Sequence, residues 1–264
     1  MKVKDKVCVV TGAAGGIGEA IARRYAKEGA KGVVVADRDA GRLDAVARDI
    51  KGVAVACDVA KEADIRHLVA EAERHYGPVD IFFSNAGIGR GGHEDALDKD
   101  WADSWAIHVM AHVYAARALV PGMLARKSGY LLNTASAAGL LTSLGSAPYG
   151  VTKHAAVALA EWLAITYGDR GIHVSCVCPG AVDTAMLRAA TGDATKSSTA
   201  IGGGDVLSPD EAAARIIAGV TEGRFLIYTH PDMQELVVRK AAEPDRWIRG
   251  MRKLWARTQE LLRQ

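Results

Sequence analysis

Seven short runs that are apolar through their centres recur along the 264 residues: KVCVVTG, GVVVADR, GVAVACDV, VDIFFSNAG, GYLLNTAS, IHVSCVCPG and RFLIYTH. Strands with so little polar character must be covered on both faces, which fits a sheet buried between layers and not one with a wet side. Stretches of helical period and length, such as Gly16–Glu28, Glu62–Tyr76, Asp100–Ala125 and Tyr149–Tyr167, lie between them. The alternation of strand and helix makes the sheet parallel and puts helices on both faces.

No linker interrupts that rhythm, and Gly202-Gly203-Gly204 is too brief to separate two units, so residues 1–264 read as a single domain. Two stretches depart from it. Residues 185–207, AMLRAATGDATKSSTAIGGGDVL, are longer than an ordinary connection and rich in small and polar residues, and they are expected to form a variable loop over a substrate. Residues 244–263 set Trp247, Ile248, Met251, Leu254, Trp255, Leu261 and Leu262 at helical spacing opposite Arg249, Arg252, Lys253, Arg257 and Arg263. This amphipathic C-terminal helix is expected to pack on its own domain or on a neighbouring subunit; a membrane is the less favoured partner.

Charge narrows the partners. With 33 Lys and Arg against 31 Asp and Glu, the net charge of +2 gives no field for nucleic acid. The N-terminus has no apolar signal core, and no run of about 18 apolar residues occurs, so a cytoplasmic location is expected. Cys8, Cys57, Cys176 and Cys178 sit in apolar runs without metal-ligand spacing and read as reduced, buried side chains; no metal is expected.

The first strand leads into VVTGAAGGIGEAIARRYAKEGA, where Gly12, Gly16 and Gly18 follow the spacing G-x-x-x-G-x-G, with Ile17 between the last two. Glycines let the backbone turn tightly and let a pyrophosphate approach the helix N-terminus, whose free amides and dipole favour anions. Asp37, about 20 residues further on at the end of the second run, can accept hydrogen bonds from the adenosine ribose hydroxyls. Its charge favours NAD(H) over NADP(H), whereas the neighbouring Arg38 could grip a 2′-phosphate and admit NADP(H). Asp58 and Val59 end the third run, and Asn85, Ala86 and Gly87 the fourth, on the same edge of the sheet. The expected fold is therefore an α/β, Rossmann-type, doubly wound parallel sheet of about seven strands.

Further along, Ser136 precedes YGVTK, which sets Tyr149 and Lys153 one helical turn apart. A phenol with an ordinary pKa of about 10 is a poor base near neutrality, and a neighbouring ammonium is expected to lower that value. Taken with TGAAGGIG, CDV, SNAG and CPGAVDT, in order and spacing, these motifs resemble the short-chain dehydrogenase/reductase family over roughly residues 5–184. The resemblance implies hydride transfer between a secondary alcohol and a nicotinamide, with Tyr149 as proton donor or acceptor. It further implies that Lys153 holds the nicotinamide ribose, that Ser136 binds the substrate oxygen, and that Pro179, Gly180, Val182 and Thr184 lie at the nicotinamide end. It also implies a four-helix contact making a homodimer or homotetramer.

One position departs from the family pattern. His108 stands where the family usually has an asparagine that holds a water beside the lysine; an imidazole can donate and accept in the same relay, or merely fill a helix kink. Ala138, Leu140, Leu141, Leu144 and Ala181 adjoin the motifs and are apolar. They favour a hydrophobic or aromatic alcohol or ketone as the small-molecule partner. The competing function is a nucleotide-binding regulatory or scaffold protein that has lost turnover, and a nucleotide-sugar epimerase would need a larger C-terminal region.

Overall fold

The computed structural model describes residues 2–191 and 205–262. Strands β1 (Val7–Thr11), β2 (Gly32–Asp37), β3 (Val53–Ala56), β4 (Ile81–Ser84), β5 (Gly129–Thr134), β6 (Ile172–Cys178) and β7 (Leu226–Tyr228) each fall within one of the seven apolar runs. They form one parallel sheet in the order β3-β2-β1-β4-β5-β6-β7. The chain steps outward from β1 to β3 and then returns to the other side of β1. That reversal opens a crevice beyond the carboxyl ends of β1 and β4.

Helices α1 (Gly16–Lys27), α2 (Ala40–Ile50), α3 (Glu62–Tyr76), α4 (Asp98–Trp105), α5 (Ala111–Ala125), α6 (Ala138–Leu141) and α7 (Ala147–Tyr167) connect the strands up to β6. After β6 come α8 (Ala185–Thr191), α9 (Pro209–Glu222), α10 (Met233–Ala242) and α11 (Pro244–Leu262). Alternation along β1 divides its side chains between two cores. Val7 and Val9 share one core with Leu68 of α3, Leu119 of α5 and Leu163 of α7, while Cys8 and Val10 share the other with Ile21 of α1, Leu43 of α2 and Ile216 of α9. Each such Leu or Ile contributes about 1.5–3 kcal/mol by leaving water, which is what fastens the two helical layers to the sheet.

The segment expected as one helix over residues 100–125 is broken: five residues of π-helix, Ala106–Met110, separate α4 from α5. A wide turn of this kind re-aims the side chains it carries, and His108 is at its centre. The expected loop over residues 185–207 begins instead as helix α8, and residues 192–204 of it lie outside the described residues. The chain is held again where it returns: Leu207 N–H donates to Ala181 O at 3.1 Å and Asp183 N–H to Leu207 O at 2.8 Å.

Helix α11 covers the expected 244–263 except for its final residue, which lies outside the described residues. Trp247, Met251, Leu254 and Trp255 of its apolar stripe are half-buried, while Ile248 is exposed. Trp247 packs against the cluster of Ala137, Leu141 and Met233, and Trp255 lies edge-on to His93 at 5.7 Å between ring centres. A cavity of about 590 Å³ remains between the helix and residues 141–147; its lining includes Leu141 and Leu144 but neither Ser136 nor Tyr149. Two of the apolar residues expected to flank a substrate thus turn toward the tail. All four cysteines are free and buried. Among the described residues no helix is long and apolar enough to cross a membrane, and no cluster of His, Cys, Asp and Glu could hold a metal.

Candidate active site

The glycine turn is built by close approach as much as by backbone conformation. Gly12 and Gly16 have φ of 67° and 56°, in the left-handed region that favours glycine. A Cβ on Gly12 would fall 2.8 Å from Ala86 Cα, and one on Gly18 would fall 2.2 Å from the Gly12 carbonyl oxygen. No side chain caps the N-terminus of α1, so its first amides, with Ile17 among them, are not spent on a neighbouring side chain. Asn85 stitches the floor beneath: its Nδ2 donates to Thr11 O at 3.0 Å, and its own N–H and that of Ala86 donate to Thr11 Oγ1.

Asp37 sits at the end of β2 with both carboxylate oxygens in use. Ala14 N–H donates to Oδ2 at 3.1 Å, and the N–H groups of Arg38 and Asp39 donate to Oδ1 at 2.7 and 3.1 Å. The carboxylate is thereby fixed beside the glycine turn, while Arg38 is exposed. Asp58 caps its own turn through Ala60 N–H, and Val59 is buried in the core below α3. Across the crevice, Thr184 reaches the glycine turn from the β6 side. Its Cγ2 stands 2.9 Å from where a Cβ on Gly16 would be.

Tyr149 and Lys153 project from the same side of α7, whose first turn begins with Ala147-Pro148. The Ser136 hydroxyl neighbours the Tyr149 phenol, and Lys153 Nζ lies 5.6 Å from the tyrosine ring centre while donating to Thr134 O at 2.8 Å. Burial pulls the Lys153 ammonium down to about 8. Burial also pushes the Tyr149 phenol up, with the Ser136 hydroxyl pulling partly against it. The expectation that the ammonium would lower the phenol's pKa is thus corrected: removing the phenolate from water costs more than the cation returns, since Nζ is directed at the Thr134 carbonyl. Near neutrality Tyr149 is therefore protonated.

His108 is entirely buried, with both ring nitrogens in use. Ile88 N–H donates to Nε2 at 3.1 Å, which leaves the proton on Nδ1 for Thr152 Oγ1 at 2.9 Å; that hydroxyl in turn donates to Pro148 O at 2.7 Å. The ring also meets Tyr149 in a T-shaped contact, 5.3 Å between centres. Of the two roles open to His108, a relay or the filling of a helix kink, these bonds are those of a brace that ties the turn after β4 to α7 and packs on the tyrosine ring. Gly87 passes beside the imidazole: a Cβ there would lie 3.7 Å from Nε2.

His112, one turn later and 2 % exposed, is a buried imidazole that the sequence motifs do not mark. Burial, followed by the Lys153 charge, pushes His108 down to about 2 and His112 down to about 3. Both native values lie below the ordinary value near 6.5. The unfolded chain therefore takes up protons that the folded chain refuses as pH falls below that value. The stability these rings confer is whole above about pH 6.5 and declines toward acid by up to ~1.4 kcal/mol per pH unit for each ring. Urea unfolding at pH 6 and pH 5 should register both, and His112→Leu should reduce the slope by about 1.4 kcal/mol per unit. An unchanged slope in that variant would contradict a buried neutral imidazole.

At the other wall, Pro179 and Gly180 follow β6, with Gly180 N–H donating to Thr229 Oγ1, and Val182 is buried where it pairs with Leu207. The structure brings Gly12, Gly16, Asp37, Asn85, Ser136, Tyr149, Lys153, Gly180 and Thr184 to the carboxyl edge of the sheet. Asp58 and Val59 follow β3 at the same edge, where Cys57 N–H donates to the Asp37 carbonyl oxygen at 3.0 Å. Sequence reading did not single out Thr11 and Thr152, though each adjoins a motif, in VVTG and in YGVTK; His112 and His230 carried no spacing signal.

Comparison with known proteins agrees with this geometry. The short chain dehydrogenase family pattern matches residues 6–194. The 1-deoxy-11-beta-hydroxypentalenate dehydrogenase of Streptomyces exfoliatus is 33% identical over 242 residues, covering 88% of this chain and 86% of that one. A short chain dehydrogenase/reductase from Burkholderia phymatum in complex with NAD superposes with a TM-score of 0.84 at 28% identity, covering 93% of this chain and 96% of that one. L-Sorbose reductase from Gluconobacter frateurii, complexed with NADPH and L-sorbose, gives 0.76 at 31% identity, covering 86% and 96%.

Proposed function

The chain belongs to the short-chain dehydrogenase/reductase family, and from that premise we propose that it interconverts a hydrophobic or aromatic secondary alcohol and its ketone, with Tyr149 as general acid and base. The residues fit a nicotinamide dinucleotide: a glycine cradle that side chains would fill, an uncapped helix N-terminus and a fixed carboxylate at the end of the next strand. Bound there, the cofactor would supply a ring carbon able to accept or release hydride.

Every other part of the reaction falls to the chain. Ser136 donates to the substrate oxygen and steadies negative charge as it develops there. Tyr149 gives its proton to a ketone oxygen in reduction, or takes the hydroxyl proton in oxidation. Lys153 provides positive charge over the ring, and His108 keeps that ring from rotating away. The observation that carries this reading is the convergence of Ser136, Tyr149 and Lys153, with the serine hydroxyl close enough to the phenol to lower its pKa and Nζ 5.6 Å from the ring centre.

Ala138, Leu140 and Ala181 adjoin this group and offer no charge for a phosphate or a carboxylate, which supports an apolar substrate. The test is to mix the purified protein with NAD⁺ or NADP⁺ and a panel of bulky secondary alcohols, and with the reduced cofactors and the matching ketones, following nicotinamide absorbance. Folded, nucleotide-bound protein with no signal in either direction would favour a regulatory or scaffold role instead.

Asp37 supports NAD(H) as the preferred cofactor, since its fixed carboxylate would repel a 2′-phosphate. Asp37→Ser should lower kcat/KM for NAD⁺ by about 10- to 100-fold while raising that for NADP⁺, an exchange equivalent to removing one charged hydrogen-bond acceptor. A variant that loses both cofactors equally would mean that Asp37 serves only to brace Ala14. The same reading includes a symmetric homodimer or homotetramer, supported by Trp105 on α4 and by Val151, Trp162 and Ile165 on α7, large apolar side chains left exposed on the outer helices.

A further inference from the structure

A chain of hydrogen bonds that the proton-transfer group does not use runs across the ends of β6 and β7. Gly180 N–H donates to Thr229 Oγ1 at 3.1 Å, Thr229 Oγ1 lies 2.9 Å from His230 Nδ1, and His230 Nε2 lies 2.9 Å from the Asp205 carbonyl oxygen. A carbonyl only accepts, so Nε2 carries the ring proton and Nδ1 accepts from the threonine hydroxyl. One neutral tautomer thus satisfies every group in the series.

The series is buried and tightly fitted. Thr229 is fully buried and His230 is 7 % exposed. A Cβ on Gly180 would fall 2.5 Å from His230 Nδ1, so only glycine lets that backbone lie against the ring. Arg215 holds the Thr229 carbonyl from α9, which fixes the threonine from behind. The two backbone points joined are Gly180, in the turn assigned to the nicotinamide end, and Asp205, where the described chain resumes before α9. Next to them, the bonds among Ala181, Asp183 and Leu207 close the same neck.

We propose that His230 is a positioning residue that locks the nicotinamide-side turn at Gly180 to the returning strand at Asp205, so that the cofactor wall and the substrate wall are held as one unit. This rests on the alcohol–ketone reading of the site. Because His230 is not bonded to Ser136, Tyr149 or Lys153, its contribution falls on binding and not on the chemical step.

The test uses His230→Ala, His230→Gln and Thr229→Val in the full-length protein. Gln retains an acceptor and a donor, whereas Thr229→Val cuts the series one link earlier at similar volume. In the Ala and Val variants, amide hydrogen exchange at Gly180 and Leu207 should quicken about 10-fold. NAD⁺ affinity by calorimetry should weaken by about the same factor, the KM for the alcohol should rise similarly, and kcat should stay within about twofold. His230→Gln should recover most of the binding. The proposal is overturned if Ala lowers only the melting temperature while exchange and affinity stay unchanged, or if Gln behaves like Ala. Should the wild-type protein bind NAD⁺ yet turn over no alcohol, the functional reading fails, while exchange and calorimetry still decide the role of His230.

Discussion

Tyr149→Phe is expected to reduce turnover by roughly 10²- to 10⁴-fold in both directions, the range of a lost general acid or base. The substitution removes one oxygen and keeps the ring that meets His108 and Lys153, so dinucleotide affinity should stay within about twofold. Single-turnover rates and calorimetry on the same preparation separate the two effects. Since burial raises the native phenol's pKa and lowers that of Lys153 to about 8, the reductive rate of the wild-type protein should hold level through neutral pH and begin to fall near pH 8, where the ammonium loses its charge. Retention of more than a tenth of the rate by the Phe variant would remove Tyr149 from the chemistry.

The second large effect is expected at Gly18, and it begins in the fold. A methyl group there would lie 2.2 Å from the Gly12 carbonyl oxygen and 2.8 Å from Asn85 Nδ2. The first neighbour is backbone and cannot rotate away, so α1 must lift from the end of β1, and the bond from Asn85 to Thr11 O must stretch with it. Gly18→Ala should cost about 2–4 kcal/mol of stability, as overpacking of a rigid site does. It should also abolish measurable dinucleotide binding, because the helix N-terminus no longer faces the turn. Thermal melts with and without NAD⁺ read both: the variant melts lower, and added cofactor no longer raises its midpoint. A variant that melts as the wild type does would show that the turn has more slack than its geometry allows.

The seven strands could be read from the sequence because burial on both faces leaves a continuous apolar run, and that signal survives whatever surrounds it. Helix α3 begins and ends where its period does, from Glu62 to Tyr76. The break at Ala106–Met110 could not be read, since a π turn has no composition of its own and arises from what His108 finds to bond in three dimensions. The order of Ser136, Tyr149 and Lys153 was legible as a motif, but the direction in which burial moves the phenol depends on surroundings that spacing does not encode. Asp37 was legible as a carboxylate at a strand end; that three backbone amides hold it was not. His230 was the least visible, because the points it links, Gly180 through Thr229 and Asp205 directly, are far away along the chain and use backbone atoms.

The strand order β3-β2-β1-β4-β5-β6-β7 has a bearing on how the chain is made. As the polypeptide leaves the ribosome, β2 and then β3 extend one flank; β4 and its successors each extend the other. No slot must be kept open inside the growing ladder, and no late segment has to insert between earlier ones. The free margin that remains after β7 is only three residues long, from Leu226 to Tyr228, which offers little template for a stray neighbour during synthesis.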